Sequence, residues 1–389
     1  MRILAVLLGL FLLLSILFDS FETMVLPRRI KRRLKLSLFI HNGLWRGWVT
    51  VARLLRSPGM REVYLSYFGP LLLLFMLASW AVGLIVSFAL IQWGFSSPII
   101  APEKIATFET YLYMSGSTFF TLGLGDVKPA TVFTRFLAVT EAGIGFGFLA
   151  LIIGYVPVVY QAFSRREAQI TLLDAHAGSP PHAIEWIHRQ HNMQANEEEM
   201  GDVLHTWELW CADILESHLS YPALLHYRSQ HERQSWLAAL TTMLDICALL
   251  LVGLDEITIP TARFLFSIAR HTAVDLAQIY HTSPRRSAYN RLSSEDFLRL
   301  GDALGSFNLT FRREDAEQQL SEMRKLYEPF VLGLADYLLI DIPSWLPGSH
   351  PVDDWQTSPW DHFAVWSQAK LEEITHLVIE HKRKLPYQR

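Results

Sequence analysis

Thr118-Phe119-Phe120-Thr121-Leu122-Gly123-Leu124-Gly125-Asp126 decides the fold, because it lies between two long, nearly uncharged runs and offers backbone oxygens rather than large polar side chains. Glycine at 123 and 125 lets the chain take left-handed conformations at alternate residues without a Cβ clash, so that neighbouring carbonyls converge. Thr121 adds a hydroxyl at one end of this segment and Asp126 a carboxylate at the other. A dehydrated monovalent cation needs several oxygens at once, and such a segment supplies them.

Working outward, residues 63 to 102 contain no Asp, Glu, Lys or Arg. That exceeds the roughly 20 apolar residues that span a bilayer core, and a membrane helix is expected over residues 67–93. A second is expected over 132–163, interrupted only by Arg135 and Glu141. Between them, residues 107–120 fit a short helix leading into the segment 121–126. Helix, re-entrant stretch and helix together resemble the prokaryotic two-transmembrane, pore-loop potassium channels, whose signature Thr-x-x-Thr-x-Gly-(Tyr/Phe)-Gly-Asp is matched at every position but Leu124. The resemblance covers residues 62–163, about a quarter of the chain.

The resemblance implies a homotetramer, since one chain carries one pore loop and a filter needs four. It implies K⁺ ions held by Thr121, Leu122, Gly123, Leu124, Gly125 and Asp126, with no organic cofactor. Tyr113, Ser117 and Thr118 are expected to support this filter, and a Tyr113 to Asp126 hydrogen bond is expected from the corresponding aromatic in related channels. Tyr111 and Tyr113 could instead serve as anchors at the membrane interface. Lys128 would bring a cation to the outer mouth. Gly143, Gly145, Gly147, Gly154 and Pro157 would shape a cavity or gate. Glu141 stands on the same span, facing either that cavity or, behind the pore helix, Ser115 or Ser117. Leucine at 124 replaces the bracing aromatic and motivates the alternative of a weakly selective K⁺/Na⁺ channel.

Charge divides the chain sharply. Residues 1–60 carry ten Lys/Arg against Asp19 and Glu22, residues 61–163 are close to neutral, and the remainder is strongly acidic within an overall net charge of −4. Residues 1–26 hold a nearly pure Leu/Ile/Val/Phe run, expected to be a retained membrane helix rather than a signal peptide, because no Ala-x-Ala site follows. Residues 27–61 form a basic segment in which Arg28, Arg29, Lys31, Arg32, Arg33 and Lys35 mark the cytoplasmic side. Its latter part, 36–56, reads as an interfacial helix with Trp45, Trp48, Ala52 and Leu55 on one stripe, drawn to anionic lipid. Arg165-Arg166 would then mark the cytoplasmic exit of the last span.

Residues 164–389 show helical signals only: Asn196 before three glutamates, Pro260, and Ser293-Ser294-Glu295-Asp296 as starts, with Gly178-Ser179-Pro180-Pro181 as a break. The apolar run 246–254 is too short to span a bilayer and reads as a buried core helix. An all-α cytoplasmic domain is expected, acting on the pore in response to a cytoplasmic ligand that the sequence does not name. Cys211 and Cys247 read as buried structural thiols. His182, His188 and His191 beside Glu197-Glu198-Glu199 match no strong metal spacing. No catalytic triad, P-loop or nucleotide-binding glycine motif is present, and the acidic balance argues against nucleic acid. The expected protein is an all-α, multi-pass protein of the cell membrane and not an enzyme. The rival from another class is a membrane-anchored receptor or enzyme with a non-conducting pore.

Overall fold

The computed structural model describes residues 1–26, 36–102, 105–230, 234–254, 260–285 and 290–346. The basic cluster Arg28, Arg29, Lys31, Arg32, Arg33 and Lys35 lies outside the described residues. The chain forms two compact units, Met1–Arg166 with Asp213–Glu232, and Glu167–Ala212 with the remainder. The first unit therefore takes in a segment far along the sequence, in addition to the continuous stretch expected to end at 163.

Three helices among the described residues are long and apolar enough to cross a membrane. The first, α1 (Arg2–Met24), packs closely against α4 (Phe68–Gly94). A Cβ at Gly9 would come within 2.8 Å of the Ser87 carbonyl, and one at Gly94 within 2.8 Å of the Arg2 carbonyl. Small residues at such positions let membrane helices approach backbone to backbone. Gly94 meets Val6, Gly9 meets Ile91, and Gly83 meets Ile16, so the two helices run antiparallel. The far side of α1 presents Leu4, Leu7, Phe11 and Leu14, all exposed, as lipid contact requires.

Asp19, near the end of α1, is buried and accepts from the backbone N–H (3.1 Å) and hydroxyl (2.9 Å) of Ser37 and from the Trp80 indole (2.9 Å). It thereby joins α1 and α4 to the first turn of α2 (Leu36–Leu54), where unpaired N–H groups favour a carboxylate. The stripe on α2 expected to lie among lipid headgroups is instead packed on protein. Trp45 and Ala52 are buried, with Trp45 against Phe68, and Trp48 stacks on Tyr64 of α3 (Pro58–Ser66). Leu55 falls beyond the helix end. An apolar stripe has the same spacing whether it meets lipid or protein, which is why periodicity could not separate the two.

The pore-loop region contains α5 (Phe108–Phe119) and α6 (Val132–Ala177). A two-residue antiparallel pair, β1 (Ile99–Ile100) with β2 (Lys128–Pro129), ties the two ends of the loop together. The Ala130 N–H donates to the Pro98 carbonyl at 3.1 Å beside it. Helix α6 continues past the expected end at 163 and passes through Pro157 without interruption.

Among its described residues the second unit has helices as its regular elements, together with an isolated bridge between Leu254 and Phe311. At its centre lies α9 (Trp236–Val252), buried along almost its whole length, as expected of the short apolar run. Two of the three starts read from the sequence are capped by side chains, and the third, at Pro260, has no side-chain cap. Asn196 and Glu199 exchange hydrogen bonds at the beginning of α8 (Glu197–Ser220), and Ser293 accepts from the Asp296 N–H ahead of α11 (Ser294–Gly305). Both cysteines are buried and free.

Candidate functional site

The filter segment begins where α5 stops. The Leu122 N–H donates to the Ser117 carbonyl (2.8 Å) and the Thr121 N–H to the Thr118 carbonyl (3.0 Å), closing the helix with Thr121 in the left-handed region at φ +56°. This is the Schellman pattern, normally built on glycine. Ser117 and Thr118 thus hold the start of the filter through their backbone carbonyls.

Beyond it, Gly123 (φ +63°) and Gly125 (φ +79°) are again left-handed, while Leu122 and Leu124 are not. Alternation of hand turns successive peptide carbonyls toward one side instead of to opposite sides as in a strand. All six residues from Thr121 to Asp126 are exposed in the single chain. The Tyr113 hydroxyl donates to Asp126 Oδ2 at 2.9 Å, the contact expected from the sequence, and holds that carboxyl below its ordinary range. Tyr111 instead donates to the Ser97 carbonyl at 2.7 Å, joining α5 to the loop before it. Lys128 is exposed on β2, two residues from Asp126.

Helix α6 has two faces that the sequence grouping merged. Glu141, Gly145, Phe148, Tyr155 and Val159 recur at helical spacing and are buried. At Gly145 an added Cβ would overlap the Phe119 carbonyl, so glycine is what lets α6 meet the end of α5. Gly143, Gly147, Gly154 and Pro157 are exposed, as are Phe146, Leu149 and Ile153.

Glu141, fully buried, points behind α5. Its Oε1 is in hydrogen-bond contact with the Ser115 hydroxyl, and its Oε2 accepts from Gln92 Nε2 at 3.2 Å. The same Ser115 oxygen lies 2.7 Å from the Ile85 carbonyl. Of the two placements left open by the sequence, the structure takes the one beside Ser115, and Ser117 has no part in it. Gln92 was missed because an uncharged amide in an uncharged run carries no positional signal of its own.

Residues 71–162 match the family model described as Ion channel. This segment is an ion-channel pore domain. No curated protein and no solved structure matches the chain. The match runs from the first turn of α4 to the lower part of α6, so the pore domain includes the capped filter and the Gln92, Ser115 and Glu141 cluster.

Below the pore domain, Arg166 was read as a topogenic mark, yet it is buried. It donates to the carbonyls of Leu224 (3.1 Å) and Tyr227 (2.7 Å) and lies 3.3 Å from His218 Nε2. Burial, then Arg166, pushes His218 down to about 3, which keeps it neutral beside the guanidinium. Nearby, the short 3-10 helix Pro222–His226 brings His226 Nε2 within 2.7 Å of His41 Nε2, amid Trp45 and Phe68. A Cβ at Gly69 would come within 2.6 Å of the Tyr227 ring. One segment thus touches α2, α4 and α6. Fourteen of the fifteen histidines lie after residue 164, and only their folding-back onto His41 reveals this pair.

In the second unit, His182 Nδ1 is 2.9 Å from the Ser344 carbonyl and His188 stacks on Phe307. Among the described residues, no group of three or more His, Cys, Asp or Glu is placed to hold a metal ion.

Proposed function

We propose that the protein is a homotetrameric, potassium-selective channel of the cell membrane, conducting K⁺ passively, with no catalytic chemistry. The observation that carries this reading is the alternation of left-handed residues at Thr121, Gly123 and Gly125 on a segment exposed in the single chain. Such a segment becomes a closed ring of oxygens when four copies meet around an axis. The uncovered apolar stripe of Phe146, Leu149 and Ile153 gives α6 a face to bury against its copies or to line the inner cavity.

Gating falls to the C-terminal helical domain, taken as cytoplasmic and responsive to a ligand, or to α2, whose exposed Arg46 and Arg53 rather than its tryptophan stripe would meet anionic lipid. The Arg166 contacts support this assignment, because they connect α6 to a segment contributed by the later sequence. A second reading, a weakly selective K⁺/Na⁺ channel, is favoured by Leu124, whose side chain is 65% exposed and forms no hydrogen bond behind the filter.

Flux of K⁺ and of Na⁺ into liposomes containing the purified protein tests both, with Gly123→Ala as the control. At φ +63° a Cβ is strained whatever space surrounds it, so loss of flux is expected. Selective K⁺ flux that the substitution abolishes supports the proposal. Equal K⁺ and Na⁺ flux supports the second reading, and no flux either in the full chain or in a chain lacking residues 170–389, from which the gating domain is removed, overturns both.

A further inference from the structure

The cluster behind α5 contains more hydrogen-bond acceptors than an ionised Glu141 can satisfy. The Ser115 hydroxyl has a single proton and touches two oxygens, the Ile85 carbonyl at 2.7 Å and Glu141 Oε1. A peptide carbonyl only accepts. If Ser115 donates to Ile85, its contact with Glu141 requires a proton on the carboxyl. If it donates to Glu141 instead, two bare oxygens are pressed together at the Ile85 side in a fully buried site.

Among the described residues, no cation is paired with the Glu141 carboxyl, whose partners are an amide and a hydroxyl. Helix α4 has no charged residue from Phe68 to Gly94. The charged residue of α5 is Glu109, six positions before Ser115, and the nearest on α6 is Arg135, six before Glu141; both are exposed. On α1 the charged residue toward this end of α4 is Arg2, whose carbonyl borders Gly94.

We infer that Glu141 is a neutral acid in a one-way hydrogen-bond chain, Gln92 to Glu141 to Ser115 to the Ile85 carbonyl, and that Gln92 and Glu141 are positioning residues for the filter. The chain leaves α4 at Gln92, crosses α6 and α5, and returns to α4 two turns away at Ile85, so it fixes all three helices with four groups. Ser115 lies two and three residues before the carbonyls that cap the filter, and Gly145, one turn after Glu141, abuts the Phe119 carbonyl. Movement of α5 at Ser115 is therefore passed directly to Thr121 and Leu122. The inference deepens the channel reading and rests on it for the filter role, while the protonation state stands independently.

Two measurements on the full-length protein test it. Infrared difference spectra at pH 7.5 between wild type and Glu141→Gln read the carboxyl directly. A protonated-acid carbonyl band lost in the variant is expected, and absence of that band overturns the neutral acid whether or not the protein conducts. Liposome flux then reads the positioning role. Glu141→Gln preserves both hydrogen bonds and should stay within about twofold of wild type, whereas Gln92→Leu and Glu141→Leu should lose flux or K⁺/Na⁺ discrimination by about tenfold in particles of unchanged size. Leucine variants that conduct as wild type, or a glutamine variant as impaired as they are, overturn the positioning role. A wild type silent both as the full chain and without residues 170–389 overturns the channel reading, with the infrared band still deciding the acid.

Discussion

Asp245 in the second unit and Glu141 in the pore domain are both carboxyl groups shielded from water, at 2% and 0% exposure, yet their partners differ in kind. Asp245 receives two hydrogen bonds from the Arg291 guanidinium, one at 2.7 Å, and another from the Tyr327 hydroxyl at 2.6 Å. Glu328 takes Arg291 on its other side at 2.8 Å and is held in turn by Arg324, so two acids face two cations. Burial still pushes the Asp245 carboxyl up, with Arg291 pulling the other way. Glu141 has only an amide and a hydroxyl. The difference follows from the solvent each region faces. A globular interior can desolvate two opposite charges together, whereas a span set in hydrocarbon is made from residues that exclude the second charge.

The comparison is broken most forcefully at Arg291. Arg291→Met leaves the buried Asp245 without its cation while Glu328 keeps Arg324, and should destabilise the second unit by about 3–5 kcal/mol. Chemical denaturation of the full-length protein in detergent, followed by tryptophan fluorescence, measures it. A loss under about 1 kcal/mol would mean that the network is no more demanding than a surface pair.

The His41 and His226 pair sharpens the contrast between neutral and ionic burial within the first unit. Burial pushes His41 down to about 4 and, ahead of its neighbours His41 and Arg228, pushes His226 well below its ordinary value. Arg228 is itself paired with Glu62 at 3.4 Å. A depressed imidazole resists protonation in the folded state, so its contribution is complete above about pH 6.5 and is lost as pH falls toward about 4. The expected slope is about 1.4 kcal/mol per pH unit for each histidine. Thermal unfolding between pH 7.5 and 5 should show it, and His41→Leu should flatten the curve.

The smallest effect is expected at the solvent-facing acid of the same domain. Tyr113→Phe removes the hydroxyl that holds Asp126 low, so the acid limb of the flux profile should move to higher pH with thermal stability unchanged. An unmoved acid limb would detach Asp126 from conduction.

Much of the pore domain could be read in advance because its determinants are local. Two glycines at alternate positions, a threonine before them and an uncharged run on either side state their requirement within a few residues. The capped starts at Asn196 and Ser293 were legible for the same reason, since a cap and its partner are three residues apart. Glu141 was legible as an anomaly with two placements, a water-filled cavity or a contact with Ser115 or Ser117 behind the pore helix, and the structure takes Ser115. Its spacing from the glycines of α6 suggested a shared cavity, and only the helical phase, fixed by packing on α5, placed it with Gly145 on the opposite side from Gly143 and Gly147. The tryptophans of α2 carried an amphipathic signal without naming what would cover them.

Sequence alone determined that this chain has membrane-spanning helices flanking an oxygen-rich loop and a helical remainder, because those features depend on composition, periodicity and the backbone freedom of particular residues. Tertiary structure decided which polar groups meet: Asp19 with Ser37 and Trp80, Gln92 with Glu141, His41 with His226, and Arg166 with the Leu224 and Tyr227 carbonyls. The physical reason is that a buried polar side chain must find a partner, but the partner is chosen by helix phase and by close approach at residues such as Gly9, Gly69 and Gly145, and neither is set by neighbours in the chain.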